Sequence, residues 1–187
     1  MEKRTKKKEQ DGQQESLEHQ SLEVSMLNKD SFSDEELESY LSKGAIRASD
    51  EITVPPKILF VGDCTIATFG NFSASTGKAK SKKTFNISAM VAAAVTNSTV
   101  LNYRACLPEG KRTILYFDTE QSKYHCHTVL ERIYRLSGLS LKKDDPRLMF
   151  WGLREYTPKL RIAVIDYALR KYEGVGLVII DGLRDLM

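Results

Sequence analysis

Four short apolar runs do most to restrict what this chain can fold into: KILFVG (57–62), TILYFD (113–118), LMFWG (148–152) and GLVIID (176–181). None alternates apolar and polar residues along its length, so none reads as a strand with one wet face. Continuous β-rich runs belong to strands buried on both sides, the condition of a parallel sheet covered by helices. Helical signals fill the stretches between them. Thr84 to about Val95 is apolar nearly all round, the mark of a fully buried helix. Cys126, Val129, Leu130, Ile133 and Leu136 recur at the spacing of one helical face. Thr157-Pro158 supplies an N-cap and a proline at the first helical position, ahead of Leu160, Val164, Ala168 and Tyr172 on one side. GNFSAST (70–76) reads as a further extended run. The expected class is therefore α/β, a mostly parallel sheet with helices on both faces.

Ahead of this series the chain changes character. Residues 1–20 contain almost no large apolar side chains, so they cannot offset the entropy of ordering, and the chain to about residue 30 reads as a disordered tail. Its basic cluster, Lys3, Arg4, Lys6, Lys7 and Lys8, reads as solvated. Ser33 followed by Glu36 forms a capping-box pattern, opening a short helix from Glu35 to Lys43 that stops at Gly44. Pro55-Pro56 marks the entry to the folded part. The expected organisation is a tail (1–30), a short helix and linker (31–54), and one α/β domain (55–187). A chain of 187 residues is long enough for one sizeable core and too short for two ordinary ones.

Charge follows the same division, with a balance of −4 over residues 1–50 and +7 over residues 51–187. A basic globular part raises the local concentration of phosphate-bearing partners. No run approaches the roughly 20 apolar residues that span a bilayer, and the Lys-rich N-terminus lacks the apolar stretch of a signal peptide. Cys64, Cys106 and Cys126 are odd in number and include no CxxC pair, which fits a reducing compartment. A cytoplasmic protein is expected. Membrane, secreted and zinc-ribbon readings are set aside, and so is ester hydrolysis, for which no Ser-His-Asp set or GxSxG elbow is present.

The segment richest in chemistry is GKAKSKKTF (77–85), between an extended run and a buried helix. Phosphate loops need that context, because successive backbone N–H groups curl round a phosphate and the helix N-terminus adds partial positive charge. Against the pattern G-x-x-x-x-G-K-[ST], Gly77, Lys83 and Thr84 match, and Lys82 stands where the second glycine belongs. A register ending at Gly77-Lys78 fails twice, at Phe72 and at Ala79. In the first register Lys78, Ala79, Lys80, Ser81 and Phe85 complete the loop, and Thr84 sits at the helix start, where its hydroxyl can reach Mg²⁺. Asp118 and Glu120 emerge at the end of TILYFD, where a carboxylate can orient the water that attacks a γ-phosphate. Asp181 ends LVIID as a Walker B aspartate does, with the task of holding a Mg²⁺ shell.

GKAKSKKTF, LYFDTEQSKYH and LVIIDGLRDL, in that order, resemble the RecA-like P-loop ATPases, and more narrowly the RepA-type hexameric replicative helicases and related mobile-element ATPases. The resemblance covers roughly residues 57–187. It implies that Lys83 contacts the β- and γ-phosphates, that Thr84 and Asp181 serve Mg²⁺, and that Glu120 is the catalytic glutamate. It implies ATP as substrate, a ring of subunits, hexameric in the family, and single-stranded DNA as partner. It also implies that the RecA-like core's remaining C-terminal strands, a sensor residue, DNA-binding loops and an arginine finger lie beyond Met187. Where the family has a glycine, Lys82 must point its side chain outward and add to the charge of Lys78, Lys80 and Lys83. His125-Cys126-His127 invites a metal reading, but neighbours two apart on a helix diverge, and Cys126 is expected in the core. Arg154 and Tyr156 follow LMFWG on the ligand-binding edge and read as a surface pair.

Overall fold

The computed structural model describes residues 32–77 and 82–187, which divide into two units at residues 52 and 53. The expected tail at 1–30 and the loop positions Lys78, Ala79, Lys80 and Ser81 lie outside the described residues. In the first unit, helix α1 (Asp34–Gly44) opens with a complete capping box. The Glu36 N–H donates to Ser33 Oγ at 3.2 Å, and the Ser33 N–H donates to Glu36 Oε2 at 2.8 Å. Acidic residues fill its first turn and Lys43 its last, both favourable to the helix dipole.

The second unit is mixed α/β and holds two sheets. Strands β1 (Lys57–Val61), β2 (Cys64–Thr68), β3 (Thr99–Val100) and β4 (Tyr103–Ala105) form an antiparallel sheet in the order β2-β1-β4-β3. Strands β5 (Thr113–Asp118), β6 (Leu148–Gly152) and β7 (Val175–Asp181) form a parallel sheet in the order β6-β5-β7. Helix α2 (Lys83–Thr96) precedes β3, α3 (Lys123–Leu136) links β5 to β6, and α4 (Pro158–Lys171) links β6 to β7. A short 3₁₀ turn (Leu183–Leu186) follows β7.

The parallel sheet is covered on both faces, as expected. Ile114 and Tyr116 point to one side of β5, into a core shared with the α2 residues Val91 to Val95 and with Val129 and Ile133 of α3. Leu115 and Phe117 point to the other, against Leu153, Ile165 and Ala168. Each face carries one in-register aromatic pair. Tyr116 stacks on Phe150 with ring centres 4.2 Å apart, and Phe117 on Trp151 at 4.9 Å. Such offset stacks add to area burial and pin the register of β5 against β6. The three alanines 92–94 are essentially fully buried, and their size lets α2 lie close to its neighbours.

Several expectations need correction. KILFVG belongs to the antiparallel sheet, because a two-residue Gly62-Asp63 turn sends the chain straight back as β2, and so short a turn permits only antiparallel pairing. Gly62 takes the positive φ of +53° that such a turn needs. The run at 70–76 is not a strand; β2 ends at Thr68, so no strand leads directly into the Lys-rich loop. A second hairpin, β3–β4, went unanticipated and turns through Leu101 at φ +53°. On α4 the buried positions are Ile165 and Ala168, while Leu160 is 47% exposed. Among the described residues no helix is long and apolar enough to cross a membrane.

Candidate functional site

All three parallel strands end at the same edge, and the site is assembled there. Helix α2 begins beside it. Its N-cap is Lys82, with φ 61° and ψ 24°, the left-handed region that glycine enters freely and a lysine enters at a cost of roughly 1–2 kcal/mol. The backbone therefore adopts a glycine conformation at the position where the phosphate-loop pattern has glycine. The Lys82 side chain is exposed, as expected. Phe85 and Asn86 donate their N–H groups to the Lys82 carbonyl at 3.0 and 3.1 Å, while helix geometry leaves the Lys83 and Thr84 amides without intrahelical acceptors.

Thr84 and Asp181 lie 97 residues apart in sequence, and the Thr84 hydroxyl donates to Asp181 Oδ2 at 3.4 Å. The same oxygen accepts from the Tyr116 phenol at 3.1 Å. Asp118 is paired in register with Asp181 and is fully buried. Its Oδ1 accepts the N–H groups of Glu120 and Gln121 at 3.0 and 2.8 Å, and its Oδ2 accepts Gln121 Nε2 at 2.9 Å. This is an Asx turn at the end of β5, so Asp118 fixes the backbone that presents Glu120. Burial, reinforced by the Asp181 charge, pushes the Asp118 carboxyl above the usual range, against the lowering effect of the Gln121 and Glu120 amides. Burial, and then the charges of Asp181 and Asp118, likewise raise the Tyr116 phenol far above its ordinary value.

The strand ends are stitched together by groups that spacing arguments did not single out. Thr119 donates its N–H to the Asp181 carbonyl at 2.9 Å, and its hydroxyl reaches the Asp181 and Gly182 carbonyls at 3.1 and 2.7 Å. Arg161 spends its guanidinium on the carbonyls of Leu153, Arg154 and Asp185, at 3.0, 2.7 and 2.6 Å. Gly182 has φ +101°, and a Cβ there would overlap Thr119 Oγ1 and the stem of Glu120. Glu120 itself is exposed and lines a cleft of about 690 Å³ with Thr119, Arg154, Arg161, Arg184 and Asp185.

Of the residues singled out from sequence, Thr84 and Asp181 are brought into contact, and Glu120 stands on the same edge with its stem against Gly182. Lys83 is half-buried in the first turn of α2, and Gly77 is exposed. Phe85 is 42% exposed, with the Arg132 guanidinium 6.0 Å from its ring centre. Cys126 packs in the interior as expected; burial pushes its thiol up to about 11, which keeps it neutral. His127 turns outward toward Glu131. Among the described residues no group of three or more His, Cys, Asp or Glu is arranged to hold a metal ion. Tyr116 was the residue most open to detection in advance: period two places it on the face of Asp118, and a hydroxyl inside an apolar run must find a partner.

The fold and the site thus define a mixed α/β protein that gathers a helix-start threonine, a strand-end carboxylate and a buried phenol at the carboxyl edge of a parallel sheet. No protein-family model matches the chain, no curated protein matches it, and no solved structure matches it.

Proposed function

We propose that this chain is a RecA-like P-loop domain that binds and hydrolyses ATP with Mg²⁺ and acts on single-stranded DNA, as part of a ring-forming, helicase-type ATPase of replication or mobilisation. The observation that carries the reading is the meeting of Thr84 and Asp181 at 3.4 Å, across 97 residues, directly after a left-handed Lys82. A hydroxyl and a carboxylate are hard oxygen donors, the set that suits Mg²⁺ bound through one or two protein groups, waters and phosphates. Mg²⁺ supplies charge neutralisation on the transferring phosphoryl group.

The chain's own residues have separable tasks. Lys83 sets a point charge on the phosphates, and the free amides at the start of α2 donate to phosphate oxygens. Thr84 and Asp181 hold the metal side. Glu120 orients and accepts a proton from the attacking water, on a turn held rigid by Asp118. The basic balance of residues 51–187 favours a polyanionic partner. The test is DNA-stimulated ATP turnover by the full chain. Glu120→Gln is expected to keep nucleotide affinity and to lose turnover by about 100-fold or more; undiminished turnover contradicts the assignment.

Lys82 favours a second reading, a degenerate phosphate loop that senses nucleotide or binds DNA without hydrolysis. Binding of Mg²⁺·ATP without DNA-stimulated turnover selects it.

A further inference from the structure

Tyr116 occupies the middle of the central strand, with no exposed surface, its ring stacked on Phe150 at 4.2 Å. Packing there asks only for an aromatic ring, and phenylalanine supplies one without burying a hydroxyl. The hydroxyl donates to Asp181 Oδ2 at 3.1 Å, and Thr84 donates to the same oxygen at 3.4 Å. Among the described residues no hydrogen bond reaches Asp181 Oδ1. One carboxylate oxygen is tethered from two sides and the other is left available.

We infer that Tyr116 is a positioning residue of the cation site: its phenol holds the Asp181 carboxylate so that Oδ1 is presented to a divalent cation shared with nucleotide phosphates. The inference rests on the nucleotide-binding reading given above and deepens it. Three features support the role. β5 is hydrogen-bonded on both sides, to β6 and to β7, so the phenol is carried on the most constrained strand of the sheet. A phenol keeps its proton well above neutral pH, so it is a donor here. Asp118 is occupied by three donors of its own turn, so it does not compete for the phenol. Without the tether, Asp181 lies beside a second carboxylate and only the longer Thr84 contact fixes its rotamer.

The test is Tyr116→Phe, with affinity for a fluorescent ATP analogue titrated against Mg²⁺. Affinity without Mg²⁺ is expected to stay within about twofold of wild type, while the Mg²⁺ midpoint rises about fivefold or more. An unchanged midpoint, or an equal loss with and without Mg²⁺, overturns the role, the second result marking a merely structural one. If wild type shows no Mg²⁺ dependence, the nucleotide reading falls and the inference with it; if wild type shows it and the variant retains it, only the inference falls. Should Tyr116→Phe fail to fold, NMR of ring-labelled wild type decides among its eight tyrosines. One buried tyrosine resonance is expected to shift both with Mg²⁺·ATP and with Asp181→Asn. No resonance answering to both overturns the proposal.

Discussion

The parallel sheet β6-β5-β7 and the antiparallel sheet β2-β1-β4-β3 lie in one unit, yet among the described residues the candidate site gathers at the edge of the first. In the parallel sheet all strands end at one edge, so the segments after β5, β6 and β7 meet there and bring Thr119, Glu120, Arg154 and Asp185 around one cleft. In the antiparallel sheet the hairpins β1–β2 and β3–β4 return through two-residue turns, which leaves those ends no room for loops that carry groups. Burial differs as well. Residues 114–118 of β5 are all buried, while β2 is exposed or half-buried throughout. The lesson is that strand direction decides where side chains gather, and burial decides how firmly they are held.

The largest test of that contrast is stability. Ile114→Ala, on the fully buried strand, is expected to lower the free energy of unfolding by about 2–5 kcal/mol. Thr65→Ala, exposed on β2, should change it by less than about 0.5 kcal/mol. Denaturant melts of both variants decide the matter; equal losses would remove the distinction between the sheets.

Next in size is Lys82→Gly. It relieves a left-handed lysine, worth roughly 1–2 kcal/mol, against an entropic cost of about 0.5–1 kcal/mol. A net gain of about 0–1.5 kcal/mol is expected in thermal or chemical melts, with nucleotide affinity kept or improved. A clear loss of either would mean that the lysine side chain serves the loop.

The smallest effect concerns the opposite end of the parallel sheet, where Arg147 grips Asp145 at 2.8 and 2.6 Å ahead of β6. The Arg147 hydrogen bonds hold the Asp145 carboxyl below its ordinary value. Because the folded-state value is the lower one, the stabilisation is fully present above the ordinary Asp value and is lost as pH falls through the lowered one. The pair is partly exposed and is worth about 0.5–1 kcal/mol. Asp145→Asn should be less stable than wild type at pH 7, with the gap closing in strong acid and nucleotide binding unaffected. A gap that widens in acid would contradict the sign.

The parts legible in the sequence were those where one physical signal dominated. TILYFD and LMFWG gave the ends of β5 and β6 because buried strands are unbroken apolar runs. Ser33 with Glu36 and Thr157 with Pro158 marked helix starts through cap chemistry. The hairpins are hidden because KILFVG reads as an unbroken apolar run, while the Gly62-Asp63 turn that reverses the chain between β1 and β2 has no apolar signal. In the site, Thr84 and Asp181 were legible from spacing, because each sits at an element boundary that the sequence marks. Thr119 and Arg161 were not, because each acts through tertiary partners that no local pattern contains.

The most direct measurement is the affinity of the full chain for a fluorescent ATP analogue, with and without Mg²⁺, beside Lys83→Ala. Mg²⁺-dependent binding is expected in wild type, with at least a tenfold loss in the variant, about 1.4 kcal/mol. A folded Lys83→Ala protein that binds as tightly as wild type, or a folded wild type that binds nothing, would contradict that expectation.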